Sequence, residues 1–203
     1  WGSMILPPQI AIASSNKGKI QEINEMFRGL DIQFFNQLDL GVSEAEEPHD
    51  TFIENALAKA RHVSKNSGLP ALADDSGICV YALQGQPGVR SARFCGNGAT
   101  DTQNIKRLVD LMEHQVDRRA YYYCALVLVR QHKDPAPIST DGRWFGELLR
   151  EPRGDGGFGY DPLFADSNLD LTGAEMSLSQ KNKLSHRGEA VRKMRLLLES
   201  GVF

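Results

Sequence analysis

A chain of 203 residues is long enough to hide roughly 70% of its unfolded surface, so a core is attainable without metal or disulfide staples. Its 23 basic and 26 acidic side chains leave a net charge of −3, which argues against a protein that coats nucleic acid, and 41% hydrophobic residues argue against disorder. Cys79, Cys95 and Cys124 are too scattered for a disulfide framework or a zinc site, and the longest apolar run, Ala120 to Val129, is half of the roughly 20 residues a membrane-spanning helix needs.

Trp1-Gly2-Ser3 ahead of Met4 reads as a cloning scar, and no basic segment followed by an apolar stretch opens the chain. A soluble, cytoplasmic protein with no membrane partner is expected, built as one domain over residues 4–203. Gln9–Ala13 reads as a short buried strand running into Ser14-Ser-Asn-Lys-Gly-Lys19. A helix follows, with Ile20, Ile23, Phe27 and Leu30 at helical spacing and Gly29 near its end. Asp31–Asn36 is a second strand, and Glu44–Pro48 an acidic loop. Thr51 and Glu54 make a capping box for a helix reaching Asn66, with Phe52, Ile53, Ala56, Leu57, Ala60 and Val63 inward. Ala71–Ala73 and Ile78–Leu83 read as strands on either side of Asp74-Asp-Ser-Gly77, and Gln84–Gly88 as a turn. Thr100 or Asp101 caps a helix carrying Ile105, Leu108, Val109 and Met112. Tyr121–Arg130 is the strongest strand, dense in aromatic and branched residues. Ile138–Thr140 and Trp144–Leu149 read as a hairpin around Asp141-Gly142. Gly154–Gly159 is a flexible loop, Ala174–Asn182 a helix, and Val191, Met194, Leu197 and Leu198 line a last one. Strands and helices mix without strict alternation, which predicts an α/β domain with a mixed sheet.

Four segments carry residues suited to chemistry. In Ser14–Lys19 a strand ends and a helix opens, which presents backbone N–H groups and the helix dipole to an anion, with Lys19 as a point charge. An ordinary polar turn is the alternative, and the segment is not a Walker A loop, because Ile20 stands where Ser or Thr is required. Asp74-Asp75 at a strand end, with Glu44, Glu46 and Glu47 elsewhere, offers carboxylates for Mg2+ or simply solvated acidic turns. Gly154–Asp161 places Phe158 and Tyr160 on a pliant backbone, where a ring can stack on a base or fold inward. Lys181 with Ser185-His186-Arg187 supplies donors for phosphate or a base carbonyl, or else a solvated helix start. Ser-His-Asp, G-x-S-x-G and H-E-x-x-H arrangements are absent from the sequence.

In chain order, Ala13–Lys19, Thr51–Ala56 with Lys59-Ala-Arg61, Leu72–Gly77, Pro87–Arg93, Gly156–Pro162 and Lys181–Gly188 resemble the motifs of the inosine triphosphate pyrophosphatase family, the RdgB-like noncanonical purine NTP pyrophosphatases. The resemblance covers Ile10 to about Leu198. It implies an α/β fold with a long mixed sheet flanked by helices, two lobes with a nucleotide cleft between them, and a homodimer. It implies hydrolysis of ITP, dITP and XTP to the monophosphate and pyrophosphate, with Mg2+. Carried over by motif, Ser14, Ser15, Asn16 and Lys19 grip the triphosphate. Glu47 and Asp75 serve the metal, Asp75 is the base, and Ser76 touches substrate. Phe158, Gly159, Tyr160, Asp161, Lys181, His186 and Arg187 surround the nucleotide and its base. One departure is Ser14, where many relatives carry Thr; the hydroxyl is kept.

A nucleotide-sensing module with the same pocket and a plain interaction domain are the competing readings. The pairing of Asp74-Asp75 with Lys19 favours the enzyme, since a sensor needs no base.

Overall fold

A computed structural model describes residues 9–201, which leaves the presumed scar at 1–3 outside the described residues. The first strand, β1 (Gln9–Ile12), is followed by helix α1 (Lys17–Met26) and strand β2 (Gln33–Asn36). Helix α2 (Phe52–Ser67) leads into β3 (Ala71–Val80), and two 3-10 turns, Tyr81–Leu83 and Gly88–Arg93, precede α3 (Asp101–Met112). Then come β4 (Arg119–Val129), β5 (Ile138–Leu148), β6 (Phe164–Asp166), α4 (Leu178–Leu184) and α5 (His186–Glu199). The strands form one six-stranded sheet in the order β2-β1-β3-β4-β5-β6. β1 runs parallel to β2 and β3, whereas β5 and β6 are antiparallel, so the sheet is mixed as the sequence predicts.

The described chain divides into two compact units. One takes the chain up to Asp75, Cys124–Gly142 and the chain from Arg187 onward; the other takes Ser76–Tyr123 and Arg143–His186. Each has its own core. Ile10, Ile12, Ile23, Phe27, Leu72, Leu126, Leu128, Val191 and Met194 fill the first, and Ile78, Val80, Leu108, Met112, Tyr122, Trp144, Tyr160 and Phe164 the second.

Local chemistry explains the helix boundaries. Asn16 caps α1 by accepting the Lys19 backbone N–H, so the helix opens at Lys17 and Lys19 lies in its first turn rather than before it. Thr51 caps α2 in the same way, and Gly68 closes it in the left-handed conformation at φ 73°. Within α2, Ala56, Ala60 and Val63 are buried as expected, but Ile53 is exposed and Asn55 is buried instead. Capping boxes Thr100/Gln103 and Ser177/Gln180 start α3 and α4, and α4 opens at Leu178 rather than at the expected Ala174.

Two strands differ from expectation. β3 is continuous through Asp74-Asp-Ser-Gly77, so the two aspartates sit mid-strand and buried rather than at a strand end. The strand survives its charges because cations meet both side chains, as described below. β5 likewise runs straight through Asp141-Gly142, where a hairpin was expected. Buried residues alternate across that dipeptide, with Gly142, Trp144, Gly146 and Leu148 inward, and the strand is paired on both sides by β4 and β6. β6 itself, only three residues long, was not anticipated.

Candidate active site

In the first unit, β3 carries Asp74 into a set of buried charges. Arg187, the second residue of α5, approaches Asp74 Oδ2 with Nε at 3.2 Å and Nη2 at 3.1 Å, and its Nη1 pairs with Glu22 of α1. Lys19 Nζ lies 3.3 Å from Asp74 Oδ1. Burial pushes the Asp74 carboxyl up, but Lys19, Arg187 and Lys59 outweigh it and hold the group far below the usual carboxylate range. The same carboxylates, Asp74 and Glu22, overcome the burial penalty on Arg187 and keep it charged. These four side chains, from α1, β3 and α5, form one ionic group.

The neighbouring residue meets a different environment. Asp75 Oδ1 is 3.5 Å from Lys59 Nζ of α2, and the same ammonium is 3.1 Å from Glu47 Oε1. Burial raises the Asp75 carboxyl; Lys59 and Lys19 oppose this, Glu47 and Asp74 add to it, and the net direction is up. Its Oδ2 is buried without a hydrogen-bond partner. Lys59 is pushed down by burial but raised overall by Asp75, Glu47 and Asp74. Adjacent carboxylates thus have opposite proton affinities, the pattern that separates a structural charge from a proton acceptor.

An orphaned buried carboxylate oxygen beside a second carboxylate is a donor set suited to a hard divalent cation. Mg2+ takes only one or two protein carboxylates, the remainder being phosphate and water oxygens. No cluster of three or more His, Cys, Asp or Glu side chains poised for a metal occurs among the described residues. Glu47 and Asp75 fit the two-carboxylate pattern, and Glu47 rather than the exposed Glu46 faces Lys59.

The Ser14–Lys19 loop leads from β1 into α1. Ser14 Oγ accepts the Asn16 N–H at 3.1 Å, and the Ser15 hydroxyl donates to Glu44 Oε1. Ser14, Asn16 and Lys19 are brought together as expected. Ser15 differs, because its hydroxyl is engaged by the acidic loop.

The second unit organises the remaining predicted residues around Asp161, which is buried. Its Oδ2 accepts from Lys181 Nζ at 2.6 Å and from the Phe158 N–H at 2.9 Å, and its Oδ1 accepts the Tyr122 hydroxyl at 3.2 Å. A Cβ on Gly157, at φ +67°, would stand 2.2 Å from Asp161 Oδ2, so only glycine admits this approach. Lys181 Nζ also sits 4.3 Å from the centroid of the half-buried Phe158 ring, a cation–π contact. His186 stacks on Tyr122 with ring centroids 4.6 Å apart and planes 8° from parallel. The Gly159 N–H donates to Asp101 at 2.8 Å. Ser76 follows Asp75 on β3 and is half-buried.

Two residues have roles other than the expected ones. Tyr160 is a core residue: its ring is buried in the second unit and its hydroxyl donates to the Ser91 carbonyl at 2.7 Å. The alternative of an aromatic folded inward is the one realised. Arg187 is buried with its guanidinium against Asp74 and Glu22, so it serves as their counter-ion, whereas a donor to the base carbonyl was expected. Sequence reasoning named Lys59 only within a motif and missed its bridging of Glu47 and Asp75. Its spacing of four from Asn55 on one helix face was the available signal. Glu22 and Tyr122 had none, because their partners Arg187 and Asp161 are far away in sequence.

The Ham1 family model matches residues 10–197. The chain belongs to the Ham1 family. It is 54% identical over 186 residues to a dITP/XTP pyrophosphatase of Nitrosomonas europaea, with 92% of each chain covered. It is 53% identical over 186 residues to a dITP/XTP pyrophosphatase of Ralstonia nicotianae, covering 90% of this chain and 92% of that one. The fold matches a HAM1 protein of Coxiella burnetii with a TM-score of 0.89 at 43% identity, covering 96% of this chain and 100% of the other. The family resemblance read from the motifs, and the α/β fold it implied, are borne out.

Proposed function

We propose that this Ham1 family member hydrolyses noncanonical purine nucleoside triphosphates, ITP, dITP and XTP, to the monophosphate and pyrophosphate, and so removes them from the nucleotide pool. The observation that carries the reading is the split between Asp74 and Asp75. One carboxylate is held as a charge by Lys19, Arg187 and Lys59, and its neighbour is left with a raised proton affinity beside the single ammonium it shares with Glu47. Hydrolysis of an anhydride needs such a group to take a proton from water.

Cleavage between the α- and β-phosphates requires an aligned water, neutralisation of the polyphosphate and little covalent chemistry from the protein. Ser14, Asn16 and Lys19, with the opening turn of α1, are the phosphate-binding residues in this reading. Asp75 orients and deprotonates the water through Oδ2. Glu47 and Asp75 would hold Mg2+, which when bound supplies charge neutralisation on the phosphates. Lys59 balances the two carboxylates. Phe158 offers a flat face to the purine and Gly159 backbone access, His186 is a buried support stacked on Tyr122, and Asp161 fixes Lys181 and the Phe158 backbone. Ser76 contacts substrate. A cytoplasmic homodimer belongs to the same reading.

The test is product analysis from ITP with Mg2+, in the absence of inorganic pyrophosphatase. IMP and pyrophosphate as the sole products are expected. Orthophosphate released stepwise through IDP would overturn the assignment of the cleaved bond.

A further inference from the structure

Residues 43–49, which carry Glu44 and Glu47, have no helix or strand of their own. Side chains of α2 hold them. Asn55, fully buried, accepts the His49 N–H and donates to the His49 carbonyl, both at 3.0 Å. Lys59 pairs with Glu47. His62 Nε2 is 2.9 Å from the Ser43 carbonyl, and since a carbonyl only accepts, the ring nitrogen donates. Asn55, Lys59 and His62 stand at i, i+4 and i+7 on one face of α2. Their partners occur in reverse order, at 49, 47 and 43, so the segment runs antiparallel along the helix.

The lengths show why tethers are needed. Seven helical residues rise about 10 Å, whereas six residues of extended chain reach about 20 Å. The segment therefore has slack, and without side-chain anchors it has no reason to keep one path. A further link joins it to the phosphate loop, where Ser15 donates to Glu44.

We propose that Asn55 and His62 are positioning residues that strap residues 43–49 to α2, keeping Glu47 on Lys59 beside Asp75 and Glu44 on Ser15. Both side chains are engaged by the backbone of the segment itself. The proposal rests on the reading of Glu47 as a metal-side carboxylate. It predicts that loosening the strap weakens divalent-metal binding while leaving nucleotide contacts intact.

The test uses the full chain as His62→Ala, His62→Gln, Asn55→Ala and Glu47→Gln. Two quantities are read: amide exchange of residues 43–49, and the Mn2+ dissociation constant by electron paramagnetic resonance with an α,β-imido ITP analogue bound. Loss of one such hydrogen bond should speed exchange of the segment about 3- to 10-fold and weaken Mn2+ by a similar factor. His62→Gln, whose amide can donate to the same carbonyl, should restore most of both. The KM for ITP at saturating metal should not change. Asn55→Ala should have the larger effect because it removes two bonds; His62 is only half-buried, so its variants decide the matter should Asn55→Ala fail to fold. Unchanged exchange and Mn2+ affinity in His62→Ala would overturn the strap. Unchanged Mn2+ affinity in Glu47→Gln would overturn the metal reading instead, and the exchange rates would still judge the strap.

Discussion

Arg187→Ala tests whether this residue is a counter-ion or a base donor. The change leaves Asp74 and Glu22, whose side chains are 1% and 3% exposed, without the guanidinium that faces them both. Breaking a buried ion pair by removing one partner costs about 3–5 kcal/mol, because the remaining charge stays desolvated. Lys19 still faces Asp74 at 3.3 Å, so part of the attraction on that carboxylate survives. Against a typical domain stability of about 5–15 kcal/mol, this is about a fifth or more of the total. For a chain of this size it corresponds to a fall in Tm of about 6–20 °C. Urea unfolding of the nucleotide-free protein should show a lower midpoint at an unchanged slope. Arg187→Lys should recover only part of the loss, since an ammonium cannot present the paired Nε and Nη2 contacts to Asp74. Adding Glu22→Gln to Arg187→Met should recover more than the two single changes predict by addition, because no lone carboxylate then faces the neutral side chain at 187. Among folded molecules the ratio of kcat/KM for ITP over ATP should stay near that of the parent. A stability loss below about 1 kcal/mol together with a collapse of that ratio would refute the counter-ion role and restore Arg187 as the base-reading donor.

Asp75→Asn keeps the shape of the side chain but removes the proton acceptor and one metal-side charge. Turnover of ITP should fall on the order of 100-fold or more while the analogue's affinity in the absence of metal is retained, as read by steady-state kinetics and calorimetry. Gly157→Ala places a Cβ 2.2 Å from Asp161 Oδ2 at a backbone φ of +67°. It should lower stability by about 1–3 kcal/mol through strain, with weaker ITP binding as the Lys181 and Phe158 contacts to Asp161 shift; thermal unfolding and KM check the two effects.

Much of this fold was legible because its signals are local. Caps at Asn16, Thr51, Thr100 and Ser177 are short-range hydrogen bonds, and the apolar spacing of Ile20, Ile23 and Phe27 is read directly from the chain. The failures share one cause. Asp74-Asp-Ser-Gly77 and Asp141-Gly142 look like breaks because a lone segment has no partners for their polar groups. In β3 the partners are Lys19, Lys59 and Arg187, which lie 55, 16 and 113 residues away in sequence. β5 draws its support from β4 on one side and from β6 at Gly146–Leu148 on the other. Motif order singled out Asp75, Glu47, Lys19 and Asp161 but not the ion pairs they make. Which cation meets which carboxylate depends on helix docking, and residue type carries no record of it. Tyr160 and Arg187 were assigned outward roles for the same reason.

The parity of a β-strand accounts for the division of labour between Asp74 and Asp75. Successive residues of a strand face opposite sides of the sheet. Leu72 and Asp74 therefore share a face of β3, and Leu72 packs in the core with Ile10, Ile23, Val191 and Met194. That face is covered by α1 and α5, the helices that bring Lys19, Glu22 and Arg187 to Asp74. Asp75 points the other way and meets Lys59 of α2, a single ammonium already shared with Glu47. The result is more positive charge per carboxylate on one face than on the other, and the two proton affinities move apart. A slip of one residue in the pairing Ala11↔Ala71 and Ile12↔Leu72 would exchange the two environments. Register, set where β1 pairs with Ala71 and Leu72 just before the aspartates, thus decides which carboxylate is fixed as a charge and which has the raised proton affinity. Asp74 is poorly suited to take a proton, because a proton arriving there would have to displace the attraction of Lys19, Arg187 and Lys59 together.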